Sequence, residues 1–148
     1  IRRQRQMCIR DRGIHAFIKD MNKLYLENDA LYYNDNDVMG FEWMDCERAE
    51  TSTVAFVRRG KTTKKQLMFI LNFTPVAHEQ YTVKAPCGGT FREILNSDAP
   101  KYGGQGRLNE SPIRAKKVTT DKKKETAYEL TCYLPPLSVV VLEYDYKK

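Results

Sequence analysis

Residues 127–144 read AYELTCYLPPLSVVVLEY and contain two strand signals separated by a pair of prolines. From Ala127 to Leu134 apolar and polar side chains alternate, which is typical of a strand with one buried face. From Ser138 to Tyr144 the residues are almost all apolar, which indicates a central strand buried on both faces. Because proline has no N–H to donate to a β-ladder, Pro135 and Pro136 mark where one strand ends and the next begins.

Four earlier segments have the same β-branched and aromatic character. They are Thr53–Arg58, Gln66–Phe73, Gln80–Ala85 and Thr90–Leu95. Glycine and proline separate them, with Gly60 after the first segment, Pro75 after the second and residues 86–89 between the last two. Six or seven short strands at this spacing predict a mainly β protein, an antiparallel β-sandwich formed by residues 41–148.

One helix is predicted before the strands, from Ile14 to about Asn28. Its apolar residues recur at steps of three and four, which places them on one helical face. They are Phe17, Ile18, Met21, Leu24 and Tyr25. An isolated amphipathic helix must bury this stripe, either against the sheet of this chain or against a larger partner. A turn-rich acidic connector, residues 31–39, follows, so residues 13–40 form a helix-and-connector unit.

The net charge of +6 does not indicate a nucleic-acid partner. Residues 1–12 contain five arginines and one aspartate, and so carry +4 of this charge. They lack the apolar core of a secretory signal, and we interpret them as a foreign basic leader, with a natural basic arm as the alternative. The longest apolar run, Leu67–Leu71, is far shorter than the roughly 20 residues of a membrane helix. We expect neither a nucleic acid nor a membrane as partner.

The cysteines and histidines do not have the spacing of a metal site. Four cysteines occur without a C-x-x-C pair, and His15 and His78 stand alone. We therefore expect no metal, no cofactor and a reducing, cytoplasmic environment. Cys132 falls on the apolar face of its strand and is predicted to be buried, while a Cys46–Cys87 disulfide is the minor alternative.

No catalytic group is predicted within these residues. Glu42 with Asp45, or Glu93 with Asp98, could imitate the carboxylate pair of a glycosidase, but closeness in sequence does not place two carboxyls across a cleft. We interpret all four as surface side chains. The segment between Asn96 and Ala127 is polar and glycine-rich, and is predicted to be a long exposed loop.

Aromatic side chains are the better candidates for binding. Flat aromatic rings can pack against the C–H faces of sugars while neighbouring polar groups bind the hydroxyls. Trp43, the only tryptophan, is the first candidate, with Phe41 two residues away on the same face of an extended segment. Tyr102, beside flexible glycines, is a third. For Trp43, packing within the protein is favoured over direct contact with a glucan.

Seven segments of the chain, in this order, resemble the C-terminal part of glycogen branching enzymes of the α-amylase superfamily. They are FIKDMNKLY, ALYYNDNDVMGFEWMD, TVAFVRRG, ILNFTPV, FREILNSDA, KYGG and LPPLSVVVL. The resemblance implies an enzyme that cuts an α-1,4-glucan and rejoins the piece through an α-1,6 linkage, by a retaining mechanism. It also implies a catalytic (β/α)₈ barrel, of which residues 13–28 would be the last helix.

The resemblance implies that this chain is a non-catalytic C-terminal fragment whose partner is an α-glucan, reached through the complete enzyme. We expect the missing barrel to dock on Phe17, Met21, Leu24 and Tyr25, and this stripe to be partly exposed in the isolated chain. A stand-alone carbohydrate-binding β-sandwich is the alternative function.

Overall fold

In the computed structural model, which describes residues 2–62, 64–119 and 126–146, eight antiparallel strands follow one long helix. The helix α1 spans Arg2–Glu27. The strands are β1 (Phe41–Asp45), β2 (Thr53–Arg58), β3 (Gln66–Asn72), β4 (His78–Ala85), β5 (Gly89–Asn96), β6 (Ile113–Thr119), β7 (Thr126–Leu134) and β8 (Ser138–Tyr144). The predicted mainly β, antiparallel fold is confirmed, and the six strands assigned from sequence each lie within two residues of their observed ends.

The strands are hydrogen-bonded in the order β1-β2-β3-β8-β5-β6-β7-β4. β6 joins the two layers, because Ile113–Ala115 pair with β5 whereas Lys116–Thr119 pair with β7. The end strands β1 and β4 approach each other, so the sandwich is almost closed into a barrel. β8 is central, between β3 and β5, as its continuous apolar run predicts.

The core lies between the two layers and is formed by the inward-facing, alternate residues of the strands in both layers. Its largest completely buried members include Val57, Met68, Ile70, Val83, Phe91, Leu130, Leu134, Val140 and Leu142. Cys132 is part of this core, as predicted, and burial raises the pKa of its thiol to about 12. Cys46 is instead an exposed free thiol, so the alternative Cys46–Cys87 disulfide does not form.

A second apolar cluster covers the outer face of the sheet where α1 crosses it. Leu24 is buried there against Leu67, Phe69, Leu95 and Val141, and Phe17 and Met21 pack at its edge. Three of the four residues expected to dock a missing barrel, Phe17, Met21 and Leu24, therefore contact this chain's own sheet, and their docking on a barrel stays a prediction. Only Tyr25 of that set is exposed.

Two sequence-based boundaries differ from the structure. The helix begins at Arg2 rather than Ile14 and continues through Gly13, where the carbonyl of Tyr102 occupies the place a Cβ would take. Strand β6 lies inside the segment that was predicted to be a loop. Whether residues 1–12 are foreign to the protein remains a prediction. Within the described residues, no helix is long and apolar enough to cross a membrane.

Candidate functional site

The end of the connector fixes the start of β1 and so the position of its aromatic residues. Asp37 accepts a hydrogen bond from the N–H of Met39 at 2.9 Å and caps the short 3₁₀ helix Val38–Gly40. The Gly40 carbonyl then accepts from the N–H of Arg59 at 2.9 Å. These bonds set the register in which Trp43 lies directly opposite Phe56 on β2.

Phe41 and Trp43 share the outer face of β1, as their spacing predicts, and belong to a continuous row of aromatic rings. Their ring centroids are 4.9 Å apart in an edge-to-face arrangement. The ring of Phe56 lies 5.3 Å from Phe41 and 5.8 Å from Trp43, and stacks on Phe69 at 5.0 Å. Because Phe69 is buried beneath α1, it anchors the row to the apolar cluster under the helix.

Trp43 occupies the exposed end of this row, with 53% of its surface accessible. Its ring packs edge-to-face with Phe41 and Phe56, and the exposed remainder faces solvent. The side chain therefore packs within the protein and also exposes part of its ring, while direct contact with a glucan stays a prediction. Phe41 is half-buried behind it.

A cleft of about 370 Å³ lies beside Trp43, where the end of β1 meets β4. Its other lining residues are Met44, Asp45, Cys46, Glu47, Arg48 and Lys84. The carboxylate of Asp45 binds Nε of Arg48 at 2.6 Å, which holds the guanidinium 5.4 Å from the ring of Tyr81. An aromatic wall with charged hydrogen-bonding groups beside it suits a polyhydroxylated ligand.

Tyr102 is not brought together with Phe41 and Trp43. It follows β5, which is separated from β1 by three strands of the sheet. Its hydroxyl donates a hydrogen bond to Oδ2 of Asp20 on α1 at 2.7 Å, and its ring and that of Phe17 are edge-to-face, with centroids 5.1 Å apart. These contacts attach the segment after β5 to the helix.

The same carboxylate of Asp20 is bound by Nζ of Lys101, also at 2.7 Å. Hydrogen bonds from Lys101 and from Tyr102 lower the pKa of Asp20, because both stabilise its charged form. The contact is exposed to solvent, and we therefore interpret it as a device that orients α1 on the sheet rather than as a large source of stability.

The carboxylates considered as catalytic pairs each bind donors of the fold. Glu42 forms an ion pair with Arg59, and Asp45 binds Arg48. Glu93 accepts a hydrogen bond from the side chain of Asn109. Asp98 accepts hydrogen bonds from the backbone N–H groups of Gln105 and Arg107. The part of the chain that the structure describes contains no group of three His, Cys, Asp or Glu residues arranged to hold a metal.

Asn109 has a structural function that the sequence did not reveal. Its Oδ1 accepts from the N–H of Tyr133 at 2.8 Å, and its Nδ2 donates to the carbonyl of Tyr133 at 2.9 Å. The side-chain amide thus makes the two backbone hydrogen bonds that a neighbouring strand would make with β7. Nδ2 also donates to Glu93 at 2.7 Å. No local pattern around Asn109 distinguishes it from an ordinary loop residue.

Comparison with known families agrees with this fold. Residues 43–145 match the model of the alpha amylase C-terminal all-beta domain, and the chain belongs to that family. The matched region begins at Trp43 and covers all strands from β2 to β8, which are also the strands that enclose the core.

Individual relatives extend the likeness beyond the family model. The chain is 39% identical over 140 residues to the 1,4-alpha-glucan branching enzyme GlgB of Synechococcus sp. (strain CC9311), covering 92% of this chain and 17% of the relative. It is 39% identical over 134 residues to the enzyme of the same name from Aquifex aeolicus (strain VF5), covering 90% and 21%. The chain thus spans about a fifth of the length of the curated relatives it matches.

Proposed function

We propose that this chain is the C-terminal part of a 1,4-α-glucan branching enzyme, which moves segments of α-1,4-glucan to form the α-1,6 branches of glycogen. The observation that carries the proposal is the 39% identity to such enzymes over 92% of the chain. The α-glucan is then the partner of the complete enzyme, and the cytoplasm is its location. The exposed free thiol of Cys46 suits a reducing compartment.

Within such an enzyme we assign this chain a supporting role rather than a catalytic one. A retaining mechanism on glucan uses two carboxyl groups about 5 Å apart on either side of the scissile bond. The carboxylates weighed for that role here, Glu42, Asp45, Glu93 and Asp98, are each held by a cation or by N–H donors of the fold. The proposal therefore places the reaction in the remaining part of the enzyme.

The proposal predicts that the chain is inactive alone and competent within an enzyme. The test is a chimera in which this chain replaces the matching 134 residues of the Aquifex aeolicus relative. We expect the chimera to introduce α-1,6 branches into linear amylose, measured as chain lengths after enzymatic debranching. The isolated chain should introduce none. Branching by the isolated chain, or a folded chimera without activity, would contradict the proposal.

We also propose that Trp43 and Phe41 contact glucan. The exposed ring of Trp43, the rigid aromatic row behind it and the charged cleft beside it together support this role. A stand-alone glucan-binding module is the second candidate function, and it is favoured by the same exposed ring. The two candidates differ in whether the isolated chain binds glycogen without the rest of the enzyme.

Trp43→Ala is expected to weaken binding to glycogen by roughly five- to tenfold, as loss of one aromatic stacking surface costs about 1 kcal/mol. Affinity electrophoresis in glycogen-containing gels measures this for the isolated chain and for the chimera. Phe73→Ala is the matched control, because Phe73 is also an exposed ring, at 60%, but lies beyond the end of β3. Equal losses in both variants would refute a specific contact at Trp43.

A further inference from the structure

A guanidinium is held in a fixed direction beside Trp43. Oδ2 of Asp45 pairs with Nε of Arg48 at 2.6 Å, and the side chain of Asp45 is only 12% exposed. The guanidinium of Arg48 also lies against the ring of Tyr81, with its Cζ 5.4 Å from the ring centroid. A largely buried carboxylate and an aromatic face restrict the motion of an otherwise flexible side chain. The direction of the Arg48 donors is therefore determined by the fold.

Tyr81, which supports Arg48, is itself fixed by the core. Only 4% of its surface is exposed, and its hydroxyl donates to Oγ1 of Thr53 at 3.0 Å. Burial raises the pKa of Tyr81, so this hydroxyl stays protonated and remains a donor near neutral pH. The carbonyl of Arg48 accepts from the N–H of Thr51 at 3.2 Å, which closes the turn after β1. Arg48 thus extends from an ordered turn and rests on a buried ring.

The fold leaves the two Nη atoms of Arg48 available to a ligand. Among the described residues, the contact with Asp45 is made through Nε, and neither Nη atom donates a hydrogen bond. The Arg48 side chain is 40% exposed and lines the cleft together with Trp43 and Lys84. A guanidinium paired through Nε still carries two parallel N–H groups, one on each Nη atom, which match two adjacent oxygen atoms. The cleft therefore presents a forked donor next to a flat ring.

The charges of the cleft favour a neutral ligand. Its lining contains two carboxylates, Asp45 and Glu47, and two cations, Arg48 and Lys84, so its formal charge is zero. An anion would meet as much repulsion as attraction there, whereas neutral hydroxyl groups need only donors and acceptors that are already oriented. The ring of Trp43, 53% exposed, adds a surface for the C–H face of a sugar.

We propose that Arg48 determines which part of an α-glucan binds at Trp43, by donating from its two Nη atoms to the 2- and 3-hydroxyls of one glucose residue. The inference rests on the proposed contact of Trp43 with glucan and adds the group that is recognised. Inside an α-1,4-linked chain, these are the only free hydroxyls on adjacent carbon atoms, and so the only pair that fits the guanidinium fork. Asp45 is then a positioning residue, which acts through Arg48.

Titration of the isolated chain with maltoheptaose and with its 2-deoxy analogue, followed by the fluorescence of Trp43, tests the proposal. The unchanged chain should bind maltoheptaose about three- to tenfold more tightly than the analogue, because the analogue lacks one acceptor for the fork. Arg48→Met keeps an unbranched stem beside Tyr81 but has no N–H donor, and should bind both sugars equally. Asp45→Asn keeps Arg48 but weakens its orientation, and should reduce the preference without abolishing it.

Arg114→Met is the matched control and should keep the full preference, since Arg114 is an exposed arginine on β6 that lies outside the cleft. A preference that survives Arg48→Met, or that disappears in Arg114→Met, would overturn the proposal. Equal binding of the two sugars by the unchanged chain contradicts the role of Arg48 alone, whereas failure to bind maltoheptaose contradicts the glucan contact of Trp43 as well. The branching activity of the chimera tests the enzyme assignment independently of both.

Discussion

Replacing Leu24 by alanine is expected to lower the free energy of unfolding of the isolated chain by about 2–4 kcal/mol. Leu24 is only 9% exposed and is the central contact of α1 with the sheet. Its removal would leave a cavity above Phe69 and Val141, which belong to strands fixed by their neighbours and cannot close the gap. The loss therefore includes both the transfer of the side chain and the cavity.

Leu26→Ala is the matched control, since it is the same substitution on the same helix at a site that is 75% exposed. It should change stability by less than about 0.5 kcal/mol. Urea unfolding followed by Trp43 fluorescence and by the helical circular dichroism signal measures both variants. Coincident transitions of the two probes would show that helix and sheet unfold together. An effect of Leu24→Ala no larger than that of Leu26→Ala would mean that α1 does not depend on the sheet.

The comparison of Leu24→Ala with Leu26→Ala tests where the β domain begins. From the sequence, α1 was assigned to a unit of its own because periodicity identifies an apolar stripe but not its partner. The predicted stripe mixed buried Leu24 with exposed Ile18 and Tyr25, as spacing alone does not divide a broad apolar arc between two partners. The contacts of Leu24 favour treating α1 and the sandwich as one folding unit, which remains to be tested by these variants.

The strands show what local sequence patterns can and cannot predict. β7 and β8 were recognisable because alternation and continuous apolarity directly reflect burial on one or two faces. β6 was missed, because three of the seven residues in its sequence IRAKKVT are charged and none of its side chains is fully buried. It forms because its first residues pair with β5 and its last residues pair with β7. The local sequence of a strand contains little information about such non-local pairing.

Part of the candidate site was predictable, because residue spacing along a strand indicates which side chains share a face. A period of two places Phe41 and Trp43 on one face, and the structure confirms this. The row that they form with Phe56 and Phe69 depends on the register of β1, β2 and β3, which no local pattern specifies. Tyr102, the third candidate from the sequence, lies apart from this row, and its hydroxyl donates a hydrogen bond to Asp20.

Asn109→Ala is expected to destabilise the chain by about 2–3 kcal/mol, which is large for a residue outside every helix and strand. β6 pairs with β7 only as far as Glu129, so the side of β7 at Tyr133 depends on the Asn109 amide for its hydrogen bonds. Alanine would leave the N–H and carbonyl of Tyr133 and the carboxylate of Glu93 without these partners. Urea unfolding measures the loss, with exposed Asn36→Ala as the control for removal of an asparagine side chain.

Asn109→Asp separates the hydrogen bonds from the shape of the side chain. The aspartate can still accept from the N–H of Tyr133, but it cannot donate to Glu93, and near neutral pH it places a second negative charge beside that carboxylate. The neighbouring like charge raises the pKa of the introduced aspartate in the folded state, so folding favours its protonation and the loss of stability should shrink as the pH falls through its range. The asparagine protein should lack this relative gain at low pH. Two outcomes would contradict this function of Asn109. One is a loss of unfolding free energy for Asn109→Ala that is no larger than that for Asn36→Ala. The other is a loss for Asn109→Asp that is the same at pH 4 and pH 7.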